Sequence, residues 1–305
     1  MHSQIAPVAS VSLGSAGPAT RGWPSRRAVL AGLAATSGWV IAADSKPVDG
    51  RKLDIQLTDG FGDVREADLR AVLISAAESL WSHCPNTSWE ATGFHVFRSR
   101  ATPITLHEHR PDGRIAIGLT AEGRHWAQFA FQFAHEFAHA LAGHAGDWKR
   151  RWIGNHGANQ WFEEALCETA SLFALRAMSR SWAEQPPYPN WKNYAPALTK
   201  YAEERLAQSA TVLPAEAPFG AWFASELDSL RKAPTQRDKN LVVARHLLPL
   251  FEARPAGWES LTVLNLTRDR DAAKPFDRHL AEWIAAAPES QHAFLAMMRS
   301  VFGRK

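Results

Sequence analysis

The amino-acid sequence predicts an α+β fold in which a small, mostly antiparallel sheet packs against helices and is followed by a helical lobe. Between residues 52 and 120, short stretches alternate polar and apolar residues, which is the period of a half-buried strand. From residue 160 onward, apolar residues recur at helical spacing, in pieces broken by proline-containing or polar stretches. Strands followed by helices along the chain are typical of the α+β class.

Four strands and one helix are predicted in the first half, in the order strand, helix, strand, strand, strand. The helix is expected at residues 65–81, where Leu69, Val72, Leu73, Ala76 and Leu80 share one face. The strands are expected at residues 52–57, 93–97, 104–106 and 114–120. A Pro-Asp-Gly sequence at 111–113 favours a reverse turn, so the last two strands are expected to form a hairpin.

The chain has 305 residues, of which 46% are hydrophobic and 21% charged, enough for one large globular domain or two lobes. The formal charge of +3 arises in residues 1–43, which carry three arginines and no acid. Beyond them, 31 basic residues balance 31 acidic ones. This balance gives no electrostatic reason to expect binding to nucleic acid or to an anionic membrane.

The N-terminal segment resembles a twin-arginine (Tat) export signal. Arg26 and Arg27 precede a short, mildly apolar segment of residues 28–43, and Ala42 and Ala43 offer a cleavage point before Asp44. Cleavage would leave a periplasmic or secreted protein without a membrane span. A frayed N-terminus and an uncleaved signal anchor are the alternatives. The predicted organisation is therefore a signal at 1–43, an α+β half at 44–157 and a helical lobe at 158–305.

A metal site is predicted on the apolar, alanine-rich helix at residues 128–142. His135 and His139 are four residues apart, so one helix face carries both imidazoles and can aim them at one ion. Glu136 would lie beside the ion without binding it. The alternative interpretation is a pair of core histidines hydrogen-bonded to backbone carbonyls, since the pattern is short and the chain has 13 histidines.

The third ligand is expected on the next helix. A catalytic zinc usually takes three protein ligands and keeps a fourth position for water. On the helix that contains residues 161–168, Glu164 and Glu168 share a face, while Glu163 points about 100° away. Either Glu164 or Glu168 could bind the metal while the other accepts the outer ring N–H of a ligand histidine.

These motifs resemble those of the gluzincins, the thermolysin-like, peptidase MA-like branch of His-Glu-x-x-His zinc metallopeptidases. The resemblance covers residues 114–171. It implies that Glu164 is the zinc ligand, that Cys167 occupies a small-residue position and that Glu168 is the acid behind a ligand histidine. It also implies that residues 114–120 form the edge strand that pairs with an extended substrate. The chain departs from the family pattern at Glu163, where Asn or Asp is usual, and at Ala165, where Gly is frequent.

Other zinc families fit less well. Metzincins place a glycine and a third histidine three and six residues after the second histidine, whereas Gly143 and His144 follow at four and five. Asp147 could serve as third ligand in an aspzincin-like site, but the flanking motif is missing. His107 and His109 are expected at the surface near the cleft. Cys84 and Cys167 could form one bridge, although Cys167 falls on an apolar helix where a free buried thiol is favoured.

The predicted function is zinc-dependent hydrolysis of peptide bonds, with one Zn²⁺, a peptide or protein as substrate and a monomeric enzyme. Glu136 is the expected general base. Gluzincins add a Tyr or His that stabilises the oxyanion, for which Tyr194 and His156 are the candidates. The alternatives are a non-catalytic periplasmic zinc- or peptide-binding protein and a zinc amidase acting on a cell-wall peptide.

Overall fold

The computed structural model describes residues 53–86, 93–143, 157–208, 212–213, 218–265 and 274–304, with the backbone alone at 107 and 108. The predicted export signal, Asp147 and His156 lie outside these residues. Residues 44–305 form one compact unit. None of the described helices is long and apolar enough to cross a membrane.

The α+β class and the helical second half are confirmed. The strands are β1 (Ile55–Leu57), β2 (Phe94–Arg98), β3 (Ile104–His109) and β4 (Ile115–Leu119). The α-helices are α1 (Glu66–Trp81), α2 (Trp126–Gly143), α3 (Gln160–Glu184), α4 (Ala195–Leu206), α5 (Phe219–Lys232), α6 (Arg237–Ala253), α7 (Phe276–Ala286) and α8 (Glu289–Val301). Two 3₁₀ segments, Pro189–Tyr194 and Pro255–Val263, connect helices.

The sheet is mixed and not mostly antiparallel. Its order is β1-β2-β4-β3, with β1 parallel to β2, β2 parallel to β4, and β3 antiparallel to β4. Helix α1 connects β1 to β2, and a helical crossover lets consecutive strands lie parallel. The β3–β4 hairpin is confirmed, with Ile104 opposite Gly118. The expectation that residues 114–120 form the edge strand is wrong, because β4 is paired on both sides and β3 lies at the edge.

Helix α2 packs against α1, α3 and strands β3 and β4. A helix that is apolar all round is expected to be buried all round, and most of α2 is buried. The start of α3 is held in an aromatic cluster, in which Trp161 contacts Phe276 with ring centroids 4.9 Å apart. These contacts fix the register in which α2 and α3 present their polar side chains to each other.

Candidate metal centre

Helices α2 and α3 bring His135, His139 and Glu164 together, as the sequence predicted. His135 Nε2 lies 3.4 Å from Glu164 Oε2, and His139 Nε2 lies 3.8 Å from the same oxygen. A tetrahedral zinc ion with bonds of about 2.0–2.1 Å holds its nitrogen and oxygen ligands roughly 3.3 Å apart. The two imidazoles and the carboxylate therefore have a spacing that suits a single metal ion.

Each histidine ring also has a carboxylate beside its other nitrogen, Nδ1. His135 Nδ1 lies 3.3 Å from Glu168 Oε2, and His139 Nδ1 lies 2.8 Å from Glu163 Oε1. A carboxylate at Nδ1 places the proton there, orients the ring and leaves Nε2 as a lone-pair donor. Both rings thus direct their free nitrogen toward Glu164. The structure places Glu168 where the sequence predicted an orienting acid.

Glu163 also belongs to the site, although its position on the helix did not predict this. On an isolated helix its side chain points about 100° away from Glu164. In the structure, His135 contacts Glu168 and His139 contacts Glu163, so α3 runs antiparallel to α2. Glu163 therefore lies beside the ring of His139. The side chain of Glu163 is 6% exposed and that of Glu168 is 4% exposed, whereas His135, His139 and Glu164 keep 15–18%. The centre is therefore closed behind the rings and open toward solvent in front.

The two rear carboxylates have different partners. Arg205 on α4 donates from Nη2 to Glu168 Oε1 over 3.2 Å, while Asn265 donates from Nδ2 to Glu163 Oε2 over 2.9 Å. One buried carboxylate is thus paired with a cation and the other with a neutral amide. Neither partner was predicted, because each is distant in sequence from the motif that it supports.

Cys167 is a second candidate for the third ligand. Ligand atoms of His135, His139 and Cys167 all lie within 4.8 Å of one another, so these three side chains could hold a metal ion. The thiol is fully buried, and burial raises the pKa of Cys167 to about 12. Cys84 is also buried, and no disulfide joins these two described cysteines, as the sequence favoured. Glu164 faces the open side of the centre and Cys167 its interior.

Glu136 lies on α2 beside His135 and is buried. Its Oε2 accepts a hydrogen bond of 2.8 Å from the hydroxyl of Thr105 on β3. The predicted general base therefore lies next to His135, and its carboxylate is held on one oxygen by the edge strand.

The structure does not bring Tyr194 to this centre. The Tyr194 hydroxyl accepts a hydrogen bond of 3.2 Å from the N–H of Ala127, in the first turn of α2. Ala127 precedes His135 by eight residues, which is roughly 12 Å along a helix. Tyr194 instead satisfies a backbone donor that the start of a helix leaves without an intrahelical partner.

The charge distribution explains how the imidazoles tolerate burial. Burial alone would lower the pKa of His135, but the carboxylates of Glu164 and Glu168 outweigh burial and raise it to about 9. Burial would likewise raise the pKa of Glu164, yet His139 and His135 hold it well below its usual value. A divalent cation between these groups would take the place of the protons.

Comparisons of the chain with protein-family models, curated proteins and solved structures found no match. The interpretation of the centre therefore depends on its geometry. That geometry supplies two imidazole donors, a third donor from either Glu164 or Cys167, and an adjacent acid, Glu136.

Proposed function

We propose that this protein is a zinc-dependent metallopeptidase in which His135, His139 and Glu164 hold one Zn²⁺. The arrangement that carries this proposal is the orientation of the two imidazoles. Both Nε2 atoms approach one Glu164 oxygen, while a carboxylate holds each Nδ1. A pair of core histidines would need only one partner each and would have no reason to present free nitrogens to a shared acid.

Different side chains have different roles in the proposed hydrolysis. Bound zinc would supply a Lewis acid that polarises the scissile carbonyl and lowers the pKa of a water molecule toward 7. Glu136 takes the proton of the attacking water and delivers it to the leaving nitrogen. Glu163 and Glu168 keep both rings in the orientation that binding requires. The water and the substrate would approach from the side on which His135, His139 and Glu164 keep 15–18% of their side-chain surface exposed.

The edge of the sheet offers a place for an extended peptide. Among the described strands β3 pairs with β4 alone, so its other edge presents backbone donors and acceptors. An extended peptide can add to such an edge through main-chain hydrogen bonds. Ile104 and Leu106 on β3 are 42% and 40% exposed, which provides apolar surface beside this edge. The substrate strand is thus proposed to be β3, the strand that also contacts Glu136.

Two parts of the proposal depend on residues outside the described ranges. His156 stays the predicted donor to the oxyanion, because the hydroxyl of Tyr194 is hydrogen-bonded at the start of α2. Export to the periplasm or medium is inferred from residues 1–43 alone. A cell-wall peptide is a compatible substrate for the same chemistry.

The Cys167 cluster supports a second candidate function, a metal-binding protein without hydrolytic activity. A site closed by two histidines, Cys167 and Glu164 would have four protein ligands and no position for water, as in structural zinc sites. X-ray absorption of the zinc-loaded protein distinguishes the two functions. A sulfur at about 2.3 Å indicates the closed site, whereas only nitrogen and oxygen at about 2.0–2.1 Å indicates the open one.

The peptidase proposal is tested with purified protein, a mixed peptide library and the variant Glu136→Gln. We expect one zinc per chain, cleavage by the wild type, and loss of cleavage when a chelator removes the metal. Glu136→Gln should keep its zinc and lose turnover by about 10²–10⁴-fold, because the proton acceptor is gone. Glu184→Gln, an exposed glutamate at the end of α3, is the control and should be fully active. Full activity of Glu136→Gln would refute the mechanism.

A further inference from the structure

Thr105 is a buried residue of the edge strand β3, and both of its neighbours in the strand are exposed. Successive residues of a strand point to opposite faces, and β3 follows this rule. Ile104 and Leu106 are 42% and 40% exposed, while Thr105 between them is 4% exposed and faces α2. A threonine on an edge strand can satisfy its hydroxyl with water at no cost, so a buried hydroxyl here requires a protein partner.

That partner is Glu136. Thr105 Oγ1 lies 2.8 Å from Glu136 Oε2 and 2.9 Å from the backbone oxygen of the same residue. An ionised carboxylate and a carbonyl oxygen only accept hydrogen bonds, so Thr105 is the donor to both, and its single hydroxyl proton is shared between them. Among the described residues, Thr105 is the one side chain seen to donate to this carboxylate. A charge-assisted bond of this kind is stronger than one between neutral groups.

We propose that Thr105 is a positioning residue for the general base, an inference that rests on the peptidase function proposed above. Its hydroxyl anchors Oε2 of Glu136 and leaves Oε1 free to accept the proton of the attacking water. A glutamate has three rotatable side-chain bonds, and without this anchor the carboxylate would sample orientations in which neither oxygen faces the water. Holding a catalytic group in its reactive orientation before the reaction lowers the barrier.

The hydrogen bond from Thr105 also connects the proposed substrate strand with the general base. Thr105 belongs to the strand that is proposed to pair with the substrate backbone, and its side chain holds the base. The peptide and the carboxylate are thereby placed by the same strand, β3. Removal of the hydroxyl should therefore impair the chemical step more than substrate binding, because the main-chain edge of β3 is unchanged.

Two substitutions at this position test the proposal. Thr105→Val keeps the shape and removes the hydroxyl, and Thr105→Ser keeps the hydroxyl. We expect Thr105→Val to lower kcat by about ten-fold or more, with KM and zinc content unchanged, and Thr105→Ser to stay within about two-fold of the wild type. The control is Thr262→Val, an equally buried threonine (4% exposed) whose hydroxyl donates to the backbone oxygen of Glu259. Wild-type kcat in Thr105→Val, or an equal loss in Thr105→Ser, would overturn the proposal.

A readout that does not depend on turnover completes the test. Urea unfolding of the wild type, Thr105→Val, Glu136→Leu and the double variant forms a double-mutant cycle. We expect the two positions to be coupled by at least about five-fold in the unfolding equilibrium constant. An active wild type without this coupling overturns the role of Thr105 alone. A wild type that binds zinc and cleaves nothing overturns the peptidase function as well, whatever the coupling.

Discussion

Imidazoles that are partly or fully buried occur in two regions of this molecule, and their surroundings differ. On α2, His135 and His139 face carboxylates of α3 on both sides of each ring. In the helical second half, His246 on α6 places Nδ1 2.8 Å from the carbonyl oxygen of Val242, four residues earlier. His279 on α7 packs beside Phe276, with ring centroids 6.4 Å apart.

The pKa values of His279 and His135 shift in opposite directions. Burial lowers the pKa of His279 to about 4, with a smaller contribution from Lys274, so this ring is neutral in the folded protein. Burial also acts to lower the pKa of His135, but Glu164 and Glu168 outweigh it and raise the pKa to about 9. Burial and position on a helix therefore do not distinguish a metal ligand from a core histidine. The distinguishing feature is an acid on each side of the ring.

The largest effect is expected from removing one imidazole of each kind. His139→Ala should reduce zinc affinity by more than about 100-fold, since loss of an outer-shell partner alone costs 10–100-fold. His246→Ala, the matched control, should keep one zinc per chain at wild-type affinity, because its ring bonds a backbone carbonyl in its own helix. Competition with a chromophoric chelator measures both affinities. Equal losses in the two variants would contradict the assignment of the site to α2.

Much of the fold was predictable because local patterning determined it. Helix α1 and the β3–β4 hairpin appear where apolar period and turn residues placed them. The strand order was not predictable in this way. That β2 lies between β1 and β4 and is parallel to both depends on how α1 and α2 cover the sheet. The residues within a strand do not determine which strand it pairs with or in which direction.

The inner part of the candidate site was predictable for a related reason. His135, Glu136 and His139 lie within one helical turn, and Glu164 and Glu168 share a face of the next helix, so spacing alone groups them. Glu163 was set aside because a helical wheel describes one helix, whereas a neighbouring helix can reach a face more than 100° wide.

Residues that approach the site from distant parts of the chain left no signal in the spacing. Thr105 comes from the edge strand, Arg205 from α4 and Asn265 from the end of a 3₁₀ segment. Buried acids beside Phe162 could have indicated that such partners exist, because a buried carboxylate needs a donor or a cation. The identity of those partners depends on the packing of the whole chain.

An intermediate effect is expected from neutralising the acids behind the rings. Glu163→Gln and Glu168→Gln should each lower zinc affinity by about 10–100-fold, because an amide orients the ring less strongly and makes it a poorer donor. The two variants should differ in stability. Each substitution removes a carboxylate from one histidine ring, but Glu168→Gln also leaves the Arg205 guanidinium without its counter-charge, whereas Glu163→Gln also leaves the neutral Asn265 amide to be satisfied.

Chelator competition gives the affinities, and urea unfolding of the metal-free proteins gives the free energies. Glu184→Gln serves again as the exposed control. Wild-type zinc affinity in both variants would show that the rear carboxylates are not part of a metal site. The lesser loss of stability in Glu168→Gln would show that Arg205 does not depend on this carboxylate.

The smallest effect concerns His279, the ring that packs beside Phe276. The unfolded chain protonates His279 near pH 6.5, while the folded protein protonates it only near pH 4. The unfolded state therefore binds more protons in this window, so the folded state loses stability as pH falls from 6.5 to 4. Between pH 7 and pH 5 this group should cost about 2 kcal/mol in the free energy of unfolding. Urea unfolding of His279→Leu at pH 7 and pH 5 should show a smaller decrease in the free energy of unfolding than the wild type, because this histidine no longer contributes. An identical pH dependence in both proteins would show that His279 is not the neutral core residue described above.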